Sequence, residues 1–185
     1  MLRTPSLQQV RTAAPTRRST MAEIEDRLGA WLGRHSVTLL RISLGAVFLG
    51  FGVLKFFPGV SPAENIATET MSRLTFGLIP PGVSIYIVAT LESVIGILLL
   101  SGLFLRAAFV LLVFQFVGIF APLVVLTGRL FAGPNGAPTL EGQYVIKDIV
   151  LLAGALVVLG AYLAKRTRER AEATTADDHS LVQTE

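Results

Sequence analysis

Four stretches of about twenty residues, each nearly free of charge, dominate this chain and limit what it can fold into. A soluble core built from 185 residues cannot absorb four such runs. A bilayer requires them, because ~20 residues at ~1.5 Å rise cross a hydrocarbon core of ~30 Å. Every backbone polar group in lipid must be satisfied within its own segment, so the runs are read as helices. The expected fold is all-α: an integral membrane four-helix bundle with spans at about 37–57, 83–102, 107–127 and 143–164. Residues 36–164 form the membrane domain on this reading.

The flanks are different in kind. Residues 1–19 are rich in Arg, Ser, Thr, Gln and Pro, with no apolar run directly behind them. They read as a disordered basic tail rather than a secretory signal, and Met21 is an alternative start. Thr20-Met-Ala-Glu23 has the form of a helix capping box. Ile24, Leu28, Trp31 and Leu32 then recur on one helical face, giving an amphipathic helix over residues 20–35. Such a stripe either lies on the membrane surface, with Trp31 among the headgroups, or packs against the ends of the bundle. In the first loop, Ser61-Pro62-Ala63-Glu64 reads as a second capping box with proline at the first helical position. It predicts a short interfacial helix over residues 62–76, too polar to span. Pro122 is expected to kink the third span. Residues 165–185 form a polar tail.

Basic residues set the orientation. Six arginines precede residue 37, Arg106 sits in the short second loop, and Lys165, Arg166, Arg168 and Arg170 follow the last span. The first and third loops hold one each, Arg73 and Arg129. The positive-inside rule therefore puts both termini and the second loop in the cytoplasm, and the helix of the first loop outside. With no cysteine, disulfides, thiol redox catalysis and thiolate–metal sites are excluded. His35 and His179 both lie outside the apolar runs, which argues against a haem held between helices. The net charge of +3 belongs to the tails and reads as topology signal and anionic-lipid contact, not as a nucleic-acid surface.

The candidate functional residues are the polar side chains set among apolar ones. A charge at mid-span costs roughly 2.5–3.5 kcal/mol on insertion scales, so each must face protein, water or a route to the surface. Glu92 and Gln115 fall at the midpoints of the second and third spans, at matching depth, which predicts a hydrogen bond between them. A carboxyl group at that depth stays neutral unless Arg41 or a lysine reaches it. Glu92, Gln115 and Arg41 thus form one candidate polar bundle site, whose role is either proton or ligand binding or interhelical adhesion. Arg41, Gly45, Phe48, Gly52 and Lys55 share one stripe of the first span, whose glycines mark it as the face turned inward. Lys55, Lys147 and Asp148 lie at similar depth and make a candidate outer charge cluster, with Lys55–Asp148 the expected pair.

The run Leu40-Arg-Ile-Ser-Leu-Gly-Ala-Val-Phe-Leu-Gly-Phe-Gly-Val-Leu-Lys55-Phe-Phe-Pro-Gly resembles the opening of DoxX-like membrane proteins, as does Leu91-Glu92-Ser-Val-Ile-Gly96. Glu141-Gly-Gln-Tyr-Val-Ile-Lys147-Asp148-Ile-Val-Leu-Leu-Ala-Gly154 is similar to the YkgB/RclC-like branch of that superfamily. The likeness covers residues 37–163. It implies a four-helix, multi-pass protein of the bacterial cytoplasmic (inner) membrane, some of whose relatives accompany quinone-linked oxidoreductases or oxidative-stress complexes. It brings no established catalytic residue with it.

The expected function is a small accessory membrane subunit that binds a lipophilic ligand such as a quinone in an envelope redox or oxidative-stress response. A non-enzymatic membrane scaffold and a small proton-coupled transporter using Glu92 are the alternatives. Nothing in the sequence binds a flavin, haem or iron–sulfur cluster. Any redox centre would therefore sit on a membrane or peripheral oxidoreductase partner. Besides a quinone, no cofactor or metal is expected; the partners are the lipid bilayer and, as one possibility, further copies of the chain.

Overall fold

The computed structural model describes the backbone of residues 20–182 and the side chains of residues 20–175. The tail expected over residues 1–19 lies outside them. The α-helices in chain order are α1 (Thr20–Leu54), α2 (Glu64–Leu74), α3 (Pro81–Ser101), α4 (Leu105–Phe120), α5 (Pro122–Val125), α6 (Thr127–Leu130), α7 (Leu140–Lys147) and α8 (Ile149–Val182). Four helical segments are long and apolar enough to cross a membrane: Thr20–Leu54, Pro81–Ser101, Leu105–Val125 and Pro134–Thr175. Among the described residues the chain is all-α, with no strand.

Residues 20–36 separate from the rest as a compact unit of their own. Within it, the Trp31 and His35 rings stack at 4.9 Å, and the Trp31 carbonyl lies 2.9 Å from His35 Nδ1. Ile24, Leu28, Trp31 and Leu32 are all exposed. The sequence predicts a helix ending near residue 35, but α1 continues without a break through Ser36. No glycine or proline interrupts the segment from Arg34 to Leu44, so nothing breaks the hydrogen-bond ladder.

The second unit, from Val37 onward, holds the bundle. Its inner faces converge on Leu44 and Phe48 of α1, Ile95 and Leu99 of α3, Leu112 and Phe116 of α4, and Val158 of α8, all buried. The outer faces are equally apolar. Val110, Val113, Phe114 and Val117 form an exposed ridge along α4, the pattern of a helix with lipid on one side and protein on the other. Glycines set the spacing between α1 and α3. A Cβ on Gly96 would lie 2.5 Å from the Leu49 backbone nitrogen, and one on Gly52 would lie 2.7 Å from that of Ser93. The stripe Gly45–Phe48–Gly52–Lys55 is buried against α3, as its spacing predicts.

The helix ends follow local chemistry. Pro81 opens α3 at its first position, and Gly102 closes it at φ +72°. The turn into α4 is only Gly102–Phe104, so Arg106 stands in the first turn of α4 and not in a loop. Pro122 does interrupt the third span, which breaks at Ala121 into α4 and α5. The first-loop helix is shorter than predicted. It begins at Glu64, because Pro62 and Ala63 form a tight turn in which Glu64 N–H donates to the Ser61 carbonyl at 3.1 Å. The Glu64 carboxylate reaches past Ser61 to accept from Gly59 N–H at 2.7 Å, so the expected capping box does not form. α2 packs against α3, α4 and α5, burying Ile66 and Thr70. The fourth span is α7 followed by α8 with a one-residue step at Asp148, and α8 carries on through the polar residues beyond 164.

Candidate functional site

Glu92 lies in the middle of α3 with its side chain turned into the bundle, and its two oxygens are both engaged. Gln115 Nε2 donates to Oε1 at 2.8 Å, and Lys55 Nζ donates to Oε2 at 2.5 Å. All three side chains are buried, at 5–6% exposure for each residue. The Glu92–Gln115 bond is the one matched depth predicts. The Lys55–Glu92 pair replaces the expected Lys55–Asp148 pair. The physical reason is that a helical side chain slopes toward the helix N-terminus. Lys55 therefore runs back along α1, where its ammonium also approaches the Phe51 carbonyl at 3.4 Å, and so reaches the depth of Glu92.

The same rule separates Arg41 from this group. Its guanidinium slopes away from Glu92 and donates to the Leu99 carbonyl at 2.6 Å and the Leu100 carbonyl at 3.5 Å. Those carbonyls lie roughly 11 Å further along α3 than Glu92, at a rise of ~1.5 Å per residue. Arg41 thus caps the C-terminal end of α3, where carbonyls lack helical partners and a cation is favoured. Gly102 holds its positive φ beside the Arg41 guanidinium, the flexible end of a side chain that a Cβ there would push aside.

Asp148 and Lys147 are adjacent on a helix and project about 100° apart, so both cannot face one site. Asp148 faces inward and lines a cavity shared with Lys55 and Glu92; Lys147 is exposed. The expected outer cluster of Lys55, Lys147 and Asp148 is therefore split.

The cavity measures about 340 Å³. Its polar lining is Lys55, Thr70, Glu92, Gln115, Glu141, Tyr144 and Asp148, and its remaining walls are apolar, with Phe48, Phe51, Leu91 and Ile119 among them. The lining residues Ala67, Thr70 and Met71 come from α2, one face of which lies along it. Gly118 and Pro122 also line it, and Pro122 has no N–H to give to the Gly118 carbonyl. The Lys55 ammonium has three donors, of which Glu92 and the Phe51 carbonyl use two. One donor is left for a ligand oxygen. Among the described residues, no three Asp, Glu or His side chains cluster as metal ligands.

Sequence reasoning missed the clasp beside this cavity. Arg129 of α6 donates to both Glu141 oxygens, from Nε at 2.7 Å and from Nη2 at 2.6 Å, while Nη1 donates to Glu69 of α2. The hydrogen bonds to Glu141 first, and then those to Glu69, hold the Arg129 guanidinium above its already high ordinary pKa. The one signal available was a single arginine in a loop otherwise free of basic residues, with a carboxylate on each neighbouring helix.

A bundle of four apolar spans enclosing a buried lysine–glutamate–glutamine group defines a multi-pass membrane protein with a polar site in its interior. A family profile described as DoxX matches residues 36–131, which include Arg41, Lys55, Glu92, Gln115 and Arg129. The chain belongs to the DoxX family. No curated protein and no solved structure matches it significantly.

Proposed function

We propose that this protein binds a lipophilic ligand with a carbonyl-bearing head, a quinone by preference, and serves as an accessory subunit of an envelope redox or oxidative-stress system. The observation that carries the reading is the juxtaposition of a spare Lys55 donor with an apolar-walled cavity of about 340 Å³. That volume lies within the usual range for small-ligand sites, ~300–1,000 Å³. A quinone carbonyl would accept from Lys55, with Glu92 and Gln115 fixing the ammonium in place, and the ring would rest against Phe48, Phe51 and Ile119. Glu141 to Gly154, the stretch similar to the YkgB/RclC-like branch, supplies Tyr144 and Asp148 to the same walls. The positive-inside rule puts the cavity in the half of the membrane away from the cytoplasm, and the localisation that fits is a bacterial inner membrane.

The proton-coupled transporter fits less well. Toward the basic end of the bundle the core beyond Glu92 is filled by Ile95, Leu99, Leu112 and Val158, so the polar groups do not continue. Lipid extraction of protein purified in mild detergent, followed by mass spectrometry, tests the proposal. The wild-type protein should retain isoprenoid quinone above its share of the bulk membrane lipid. Gly118→Phe should lose it while keeping its thermal stability, because Gly118 borders the cavity and a Cβ there meets nothing within 4 Å. No enrichment, or equal retention by Gly118→Phe, overturns the proposal. A stoichiometric protein partner recovered without quinone would instead favour the scaffold.

A further inference from the structure

The opposite end of the bundle holds a second, larger concavity of about 790 Å³, which the quinone reading does not use. Arg41, Arg106, Lys165 and Arg166 line it, against one carboxylate, Glu169. Three of these cations, Arg41, Arg106 and Arg166, come from different helices, α1, α4 and α8. Arg166 Nε donates to the Tyr162 hydroxyl at 3.1 Å with its guanidinium 5.7 Å from the ring centroid, and Arg106 lines the same cleft. Glu169 sits 3.8 Å from Lys165, in a pair that is largely exposed and so weak. Among the described residues no carboxylate lies within ion-pair distance of Arg41, Arg106 or Arg166.

This exceeds what membrane topology demands. Positive flanks orient a chain wherever they lie along it, whereas here side chains from three helices close around one cleft. Arg106 also stands in the first turn of α4, where a cation opposes the helix dipole and an anion is welcome. Beside the cations the wall is apolar, with Val37, Leu105, Val158 and Ala161, and Phe104 stands 77% exposed at the rim. A group that is anionic at its head and apolar directly behind it fits both surfaces.

We infer that the cleft formed by Arg41, Arg106, Tyr162 and Arg166 binds the phosphate diester of an anionic phospholipid. Basic pockets between spans on the cytoplasmic side hold such headgroups, each Lys or Arg contributing about as much as one surface cation does. The site is independent of the cavity around Glu92.

Native mass spectrometry of the detergent-solubilised full chain tests this, titrated with phosphatidylglycerol and with phosphatidylcholine. Phosphatidylglycerol should bind preferentially. Arg106→Gln with Arg166→Gln should weaken it roughly thirtyfold and leave phosphatidylcholine unchanged. Arg73→Gln, at an exposed arginine of α2, should change neither. Arg106→Lys with Arg166→Lys keeps the charge and should retain most of the preference, which separates lost binding from a lost fold. Inorganic phosphate at millimolar concentration should not displace the lipid; displacement would make the occupant a soluble phosphate and overturn the lipid assignment. Phosphatidylglycerol binding by the double Gln variant within threefold of wild type would overturn the site itself.

Discussion

Lys55, immediately after α1, and Glu92 of α3 meet at 2.5 Å inside the bundle, 37 positions apart in sequence and both almost wholly buried. The pair is tied at both ends, by Gln115 on the carboxylate and by the Phe51 carbonyl on the ammonium. It therefore joins three of the membrane helices at a single point. Taking two charges out of water is costly, and a pair in such surroundings gains stability only when its remaining groups are hydrogen-bonded.

Removing one partner leaves the other charge uncompensated. Lys55→Ala and Glu92→Ala should each destabilise the bundle by about 3–5 kcal/mol. The double variant should cost clearly less than their sum, the signature of direct contact. Asp148→Ala combined with Lys55→Ala should come closer to additivity. Unfolding in mixed micelles measures these together with the single Asp148→Ala variant, and strict additivity for Lys55 with Glu92 would show that they do not meet.

The glycines of the bundle should divide sharply by position. Gly96→Ala forces a methyl group against the Leu49 backbone and should destabilise by about 1–3 kcal/mol or more, since overpacking of this kind moves helices. Gly118→Ala, with open space around its Cβ, should be neutral or mildly stabilising, because alanine is the better helix former by about 1 kcal/mol. Thermal denaturation of the two variants side by side is sufficient.

Arg129 holds α2 and α7 together, by a planar, two-pronged contact with Glu141 of α7 and a third donor to Glu69 of α2. Arg129→Ala should lower stability by about 1–2 kcal/mol, reduced from a buried value because the group is a third exposed. Arg129→Lys should recover only part, since an ammonium cannot reproduce the paired geometry. Limited proteolysis near α2 should accelerate in both variants, and more in the alanine one.

Orientation is checked by reporter fusions. Fusions within α2 and after Leu130 should report the extracytoplasmic side, and a fusion after Lys165 the cytoplasm. A cytoplasmic signal from α2 would contradict the four-span arrangement.

Helix periodicity and depth carried much of the architecture. The inward stripe of α1 was legible because Gly45, Phe48, Gly52 and Lys55 repeat at helical spacing, and Glu92–Gln115 because two polar residues fall at the midpoints of adjoining spans. Depth of the backbone alone misassigned Lys55, because the length and slope of a lysine side chain shift its charge by about a turn. It likewise grouped Arg41 with Glu92, though that guanidinium slopes to the other end of α3. The Arg129 clasp was invisible because it depends on how loops fold back, with Glu69 lying 60 positions from its partner. No periodicity encodes that.

The glycine seam between α1 and α3 has a consequence for traffic. With Gly96 against the Leu49 backbone and Gly52 against that of Ser93, these two helices leave no gap for a molecule to pass. The wall formed by α4 and α5 is built differently: its helical ladder is interrupted at Ala121, Gly118 faces open space, and both Gly118 and Pro122 border the cavity. One side of the bundle is thus closed by backbone contact, and the other is packed more loosely. For the lipophilic ligand proposed above, that makes the α4–α5 side, beside Pro122, the side of entry.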